Sequence, residues 1–287
     1  MMNVSLIGVG LMGQALSEHL LNNKISLHLY NRSAEKCQSL KDQGAVISDS
    51  AEHAIIASDI SLLMLSDATA INIVLDSIEP TNFKGKLIIQ MGTIAPDESR
   101  AIAARIRSHQ GRYLECPVLG SLPEARTGKL ILMAGGNQQD YQTALPLLNI
   151  IGNNPKHIGD IGQGATVKLA MNQLIAGLTA SFSLSLALVE KEGIQTEQFM
   201  EIVRNSALYA PTFDKKLERM LARDFSNPNF PTKHLAKDTD LFLSVAEDLG
   251  LNTSGLEGIS SLLTKALAQG LADTDYSAIY SAVSPEK

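Results

Sequence analysis

Across the 25 residues from Ala165 to Val189 only Lys168 is charged. The segment reads as a helix that is apolar nearly all round. A buried ammonium is costly unless it is paired or lines a cavity. Asn172 follows four residues later and shares its helical face. A proton donor beside an amide is what a polarised carbonyl requires. A second reading stays open, in which Lys168 snorkels to solvent from the first turn. Another anomaly lies downstream. Leu235, Asp238, Leu241, Phe242, Val245 and Leu249 fall on one helical stripe, which makes Asp238 a carboxylate on an apolar face. Its neighbour Lys237 points about 100° away. Either Asp238 satisfies backbone N–H groups near the helix start, or it faces the same cleft as Lys168.

These residues need a partner element, and the N-terminus offers one. Gly8-Val9-Gly10-Leu11-Met12-Gly13 lies between the apolar run Val4–Ile7 and a helix-like run from Leu11 to Leu21. A glycine triplet at that spacing, between strand and helix, is the opening of a dinucleotide-binding unit. Gly8 permits the tight turn, Gly10 keeps a side chain away from a pyrophosphate, and Gly13 lets the helix lie close on the sheet. The helix start offers N–H groups and positive dipole character to phosphate. About 20 residues on, an acidic side chain would grip the ribose 2′-OH of NAD. Here the segment reads Tyr30-Asn31-Arg32-Ser33. Arg32 can pair with a 2′-phosphate, and Asn31 and Ser33 can hydrogen-bond to it. This predicts NADP(H).

The first half alternates strand-like and helix-like runs. Strands are expected at Ile25–Tyr30, Ile60–Leu65, Leu87–Gln90, Tyr113–Cys116, Leu130–Ala134 and Pro155–Ile158. Helices are expected at Ser33–Asp42, from Ala68 to Ile78, from Pro96 to His109 and at Gln138–Leu148. Repeated strand–helix units imply an α/β domain with a doubly wound, mainly parallel sheet. After the glycines of Gly159–Gly164 only helices are expected: 165–192, 196–205, 212–222, 233–250 and 253–270. The boundary is placed at 162, with a dinucleotide-binding Rossmann-type domain at 1–162 and an all-α substrate and oligomerisation domain at 163–287. Residues 284–287 are expected to fray.

Composition narrows the class. Hydrophobic residues make up 45% and charged residues 19%, and the formal net charge is −6 with no long basic run. That argues against a nucleic-acid partner. Cys37 and Cys116 have no metal-ligand spacing and read as buried thiols, so no metal site is expected. The uncharged run after Lys168 is long enough to cross a bilayer. Asn172, Gln173, Thr179, Ser181, Ser183 and Ser185 make it polar for a lone span, so a buried helix, not a membrane partner, is expected. With no leader visible, the expected location is cytoplasmic.

Several segments together resemble the β-hydroxyacid dehydrogenases, in particular their glyoxylate/succinic semialdehyde reductase branch. The likeness spans nearly the whole chain. Beside the Gly8–Gly13 loop, Leu65-Ser66-Asp67 resembles the segment that passes the cofactor after the fourth strand. Gly92-Thr93-Ile94-Ala95-Pro96 resembles the element beside the nicotinamide. Glu115-Cys116-Pro117-Val118-Leu119-Gly120-Ser121 resembles the substrate motif. Gly162–Asn172 resembles the catalytic helix, and Asn229-Phe230-Pro231 through Lys237-Asp238 the C-terminal cofactor and substrate element.

The resemblance implies roles. Lys168 would be the general acid and Asn172 would orient the substrate. Thr93, Gly120 and Ser121 would line a carboxylate site, next to Leu119, and Phe230 and Asp238 would close the pocket. Gly8, Gly10, Leu11, Met12, Gly13, Asn31, Arg32, Ser33, Leu65, Ser66, Thr93 and Lys237 would hold NADP(H). The substrate would be a small carboxylate-bearing aldehyde or keto acid. One departure concerns it: Leu119 stands where the family usually has Ser, and Leu cannot donate a hydrogen bond. Ser121 could substitute, or the substrate is larger or less polar than glyoxylate. An imine reductase of the same architecture is the first alternative; that branch usually replaces the lysine. A non-catalytic dinucleotide-binding scaffold is the second. Family members pair through the helical domain, so a homodimer or homotetramer is expected. One test follows directly: NADPH should bind more tightly than NADH, and Arg32→Ala should narrow the gap. Equal use of both cofactors by the unaltered protein contradicts it.

Overall fold

The computed structural model describes residues 2–285. The chain forms two compact units, Met1–Lys168 and Leu169–Lys287. The strands of the first unit are β1 (Asn3–Ile7), β2 (Ser26–Tyr30), β3 (Val46–Ile47), β4 (Ile60–Leu63), β5 (Leu87–Gln90), β6 (Arg112–Glu115), β7 (Val118–Leu119), β8 (Ile131–Gly135) and β9 (Lys156–Gly159). They form one sheet in the order β3-β2-β1-β4-β5-β6-β8-β7, with β9 beside β8. From β3 to β6 every pairing is parallel. β8 runs antiparallel to β6 and β7, and β9 parallel to β8. The sheet is therefore mainly parallel, as the alternating pattern predicts, with an antiparallel extension at one end.

Its strands are buried on both faces. Leu62, Ile89 and Leu114 join one core cluster, while Leu63, Ile88 and Tyr113 join the other. Adjacent residues thus go to opposite faces, the period of two that a pleated strand imposes. This is why the strands read as continuous apolar runs and not as alternations. The covering helices are α1 (Leu11–Asn22), α2 (Gln38–Lys41), α3 (Ala51–Ile56), α4 (Ala68–Asp76), α5 (Pro96–Ser108), α6 (Leu122–Arg126) and α7 (Gln138–Ile151). Their starts carry local signals: Ser50, Asp67 and Asn137 accept N–H bonds from His53, Ala70 and Asp140.

Some expectations fail on short elements. The helix expected over Ser33–Asp42 is a 3-10 turn at Ala34–Cys37 followed by α2. β3, β7, α3 and α6 are not expected from the sequence pattern; they have two to six residues each and hold too few positions to show a period.

The second unit is helical: most of α8 (Gln163–Lys191), then α9 (Thr196–Arg204), α10 (Pro211–Ala222), α11 (Thr232–Asp248), α12 (Ser254–Ala268) and α13 (Ile279–Val283). α8 is long and apolar enough to cross a membrane. One face packs, through Ala176, Ala180, Phe182, Leu186 and Ala187. The other leaves Leu184 and Leu188 about two-thirds exposed, so the unit's own helices cover only one face of this apolar helix. The stripe on α11 is likewise partial. Leu235 is buried and Leu249 is exposed. The expected fraying at the end also needs correction. Ser284 is buried, and its carbonyl accepts from Arg223 Nη2 at 2.7 Å; Glu286 and Lys287 lie outside the described residues.

A buried ion pair joins α10 to the segment that precedes α13 in this unit. Lys216 Nζ of α10 donates to both carboxylate oxygens of Asp275 at 2.8 Å and lies 4.3 Å from the Tyr276 ring centroid. Asp275 also accepts from Ser277 N–H and Oγ. Lys216→Met leaves that carboxylate uncompensated. Its expected cost is about 3–5 kcal/mol, read from urea unfolding; a loss under about 1 kcal/mol contradicts this account.

Candidate active site

The expected cofactor residues of the first unit gather where the parallel strands end at their carboxyl side. Gly8 follows β1, Asn31–Ser33 follow β2, Leu65 and Ser66 follow β4, and Thr93 follows β5. Ligands of open α/β sheets bind at this edge, beside the point where strand order reverses. Here that point is β1, between β2 and β4.

The three glycines divide the work as the spacing implied. Gly8 has φ +103°, and a Cβ there would lie 2.3 Å from the Met64 carbonyl oxygen. A Cβ on Gly13 would lie 2.0 Å from the Gly8 oxygen. Both are therefore required by the chain's own packing. A Cβ on Gly10 would meet nothing within 4 Å. Its bareness leaves open space in front of α1, which starts with no acidic residue in its first turn and no side-chain cap. The loop thus fits a pyrophosphate. A further glycine, Gly92, brings the next loop against this one, since its Cβ would lie 2.2 Å from the Leu65 oxygen.

Side chains beside the loop have defined tasks. Val9 N–H donates to Asn31 Oδ1 at 2.9 Å, and Asn31 Nδ2 donates to the Ser33 carbonyl at 2.9 Å. Asn31 is thus largely engaged in holding the glycine loop to the end of β2. Arg32 is exposed and Ser33 half-buried. Leu11 is exposed and Met12 half-buried at the start of α1. Ser66 Oγ donates to Asp67 Oδ2 at 2.6 Å, and Asp67 caps α4.

The segment resembling the substrate motif is held by local contacts. Leu119 pairs with Ile131 in β7. Gly120 has φ +133°, and a Cβ there would lie 2.8 Å from Leu130 Cδ2. Ser121 Oγ donates to Glu124 Oε2 at 2.7 Å, and Ser121 N–H donates to the same oxygen at 2.8 Å. This capping box at the start of α6 occupies the hydroxyl proton that would have replaced the missing serine. Glu115 points elsewhere. It is fully buried, and its Oε1 accepts from Gly162 N–H at 2.8 Å and Ala165 N–H at 3.1 Å. Burial pushes the thiol of the adjacent Cys116 strongly upward.

Lys168 is 8% exposed, in the second turn of α8. Asn172, one turn on, is 1% exposed. Within the second unit, Asn172 Nδ2 donates to Asp238 Oδ2 at 2.5 Å. Asp238 is the seventh residue of α11, past the first turn, so it does not serve as a cap. Its Oδ1 lies 2.8 Å from Lys237 Nζ but accepts no hydrogen bond of normal geometry among the described residues. The helical wheel separates Lys237 from Asp238; the flexible lysine stem brings the charges back together. Phe230 packs edge-on against Tyr276, with ring centroids 5.8 Å apart, and nearly parallel to His234 at 6.4 Å.

His234 was missed in the sequence, although it lies four residues after Phe230 and four before Asp238. Burial depresses its pKa, with the Asp238 carboxylate pulling the other way. Glu115 was missed as an anchor because its partners lie 47 and 50 residues away.

Residues 3–159 match the family described as the NAD binding domain of 6-phosphogluconate dehydrogenase. Residues 162–283 match the NAD-binding domain of NADP-dependent 3-hydroxyisobutyrate dehydrogenase. The chain belongs to the β-hydroxyacid dehydrogenase family. Within it, glyoxylate/succinic semialdehyde reductase 1 of Arabidopsis thaliana is 31% identical, over 98% of both chains. A crystal structure of 3-hydroxyisobutyrate dehydrogenase from Salmonella typhimurium superposes with a TM-score of 0.87 at 24% identity, covering 98% of this chain and 99% of that one. An imine reductase from Pseudomonas sp. gives 0.68 at 22% identity, covering 98% and 99%. As a family member the chain is an oxidoreductase that binds a nicotinamide dinucleotide and acts on a small molecule.

The glycines yield a paired test. Gly13→Ala should lower stability by roughly 1–3 kcal/mol through overpacking. Gly10→Ala should cost under about 1 kcal/mol yet weaken NADPH binding at least tenfold by calorimetry. Equal effects of the two substitutions on stability would contradict this division.

Proposed function

We propose that the protein is an NADPH-dependent reductase of a short aldehyde or keto acid bearing a carboxylate, with Lys168 as general acid. The observation that carries this reading is the burial of Lys168 one turn before Asn172, on a helix with no other charge until its last residues. When bound, the nicotinamide supplies the hydride. Hydride arrival at a carbonyl builds an alkoxide, and an ammonium within reach stabilises and protonates it. Asn172, held by Asp238, orients the substrate, while Phe230 supplies an apolar wall. Thr93 and Gly120 serve the carboxylate. Arg32 and Ser33 take the 2′-phosphate, and Lys237 adds positive charge toward the cofactor. Relatives named for glyoxylate and succinic semialdehyde support the substrate class. Leu119 and the engaged hydroxyl of Ser121 favour a substrate longer than glyoxylate.

The test is NADPH oxidation against glyoxylate, succinic semialdehyde, a hydroxyisobutyrate-type semialdehyde and a cyclic imine. The carbonyl compounds should be reduced, the four-carbon semialdehyde with higher kcat/KM than glyoxylate. Lys168→Ala should lower kcat at least 100-fold while leaving NADPH binding nearly intact. Undiminished turnover refutes Lys168 as the acid. Turnover of the imine alone favours imine reduction, and tight NADPH binding with no turnover favours a scaffold.

We further propose that the uncovered face of α8, with Leu174, Leu178, Leu184 and Leu188 exposed, packs on another copy of the chain. Sedimentation should give at least twice the chain mass of 30.8 kDa, and Leu184→Glu with Leu188→Glu should reduce it. A single-chain mass for the unaltered protein overturns this.

A further inference from the structure

Glu115 is a buried carboxylate that the proposed chemistry does not use. It ends β6, and its Oε1 accepts from Gly162 N–H at 2.8 Å and Ala165 N–H at 3.1 Å, at the start of α8. Its Oε2 accepts from Ser99 Oγ of α5, which in turn lies 2.9 Å from the Tyr113 hydroxyl. Gly162 and Ala165, six and three residues before Lys168, are thereby tied to the end of β6. Glycines let the helix start reach it. A Cβ on Gly135 would lie 2.3 Å from Glu115 Oε1, and one on Gly164 2.4 Å from the Met133 carbonyl oxygen and 3.1 Å from Glu115 Oε1. The first turn of α8 is therefore pressed onto the backbone of β8, with the carboxylate between them.

Two needs meet here. The first N–H groups of a helix have no intrahelical partner, and a fully buried carboxylate requires donors. Each supplies what the other lacks, and the negative charge sits at the positive end of a 29-residue helix. Lys168 follows Ala165 by three residues, about 4.5 Å along the axis. The position of its Cα is set by where that first turn is held.

We propose that Glu115 is a positioning residue for Lys168: it fixes the origin of α8 on the sheet, and with it the place from which the ammonium acts. This rests on the reading of Lys168 as the acid. Misplacement by about 1 Å can cost 10²-fold in rate, so small changes at this seat should be visible in turnover.

The experiment compares Glu115→Gln, Glu115→Asp and Lys168→Ala in the full chain. It measures kcat, KM and NADPH affinity on folded protein, and amide hydrogen exchange across residues 162–168. A glutamine oxygen can accept the same two N–H bonds while its NH2 group donates to Ser99 Oγ. Aspartate is one methylene too short to reach both. Glu115→Gln should keep kcat within about fivefold of the parent. Glu115→Asp should lower kcat at least tenfold, with NADPH affinity changed less than threefold and faster exchange at 162–168. Rescue by glutamine but not aspartate is not expected of a carboxylate that merely stabilises the fold. A folded Glu115→Asp protein with kcat within threefold of the parent and unchanged exchange overturns the proposal. Lys168→Ala separates the two readings: undiminished kcat there refutes the acid assignment, whereas the exchange data report on the seat alone.

Discussion

The start of a helix presents backbone N–H groups with no partner in the helix itself. In the first unit this chain meets that constraint in two opposite ways. At α1 the groups are left open. Gly10 brings no side chain, the first turn has no acid, and the space in front is clear. At α8 two of the groups are taken by Glu115, buried and 47 to 50 residues away in sequence. An open start suits an anion that comes and goes. A start closed by a fixed carboxylate suits a helix whose origin must not move. The same local physics thus leaves one helix start open after β1 and closes another against the end of β6.

Two buried polar pairs of the second unit are mutually answered. Lys216 and Asp275 form a bidentate pair, and the Asp275 segment also pairs with Pro231 and accepts Thr232 Oγ1. This ties the segment before α13 to the beginning of α11, so the helix that carries Lys237 and Asp238 has a fixed base. Asn172 and Asp238 answer one another between α8 and α11. Asp238 Oδ1, however, keeps acceptor capacity while buried. Among the described residues it is the buried side-chain oxygen without a hydrogen bond of normal geometry, and its near neighbour is the Lys237 ammonium at 2.8 Å.

The parallel sheet was legible because buried strands such as Leu87–Gln90 read as unbroken apolar runs between helical patterns. The glycine loop was legible because its spacing falls between a strand and a helix, with Gly8 and Gly13 required by packing and Gly10 leaving open space. Lys168 and Asp238 were visible as charges on apolar helices. What escaped notice depended on distance or on brevity. Two-residue strands such as Val46–Ile47 carry no period. Glu115 sits in a segment that resembles a substrate motif, yet its partners are fixed by the meeting of β6, β8 and α8. Ser121 shows the converse: a serine at a suitable place, whose proton a local capping box with Glu124 had already claimed. Lys237 shows that helical-wheel angles order Cα directions and not the reach of a long side chain.

On the proposed function, a nicotinamide dinucleotide held on the open start of α1 delivers hydride to a carbonyl. The most direct measurement uses NADPH carrying deuterium at the transferable C4 position, with succinic semialdehyde as acceptor and mass analysis of the product. One deuterium per molecule, on the carbon that bears the new hydroxyl, is the result expected. Recovery of unlabelled hydroxy acid, or of unchanged aldehyde beside fully bound NADPH, would contradict the account.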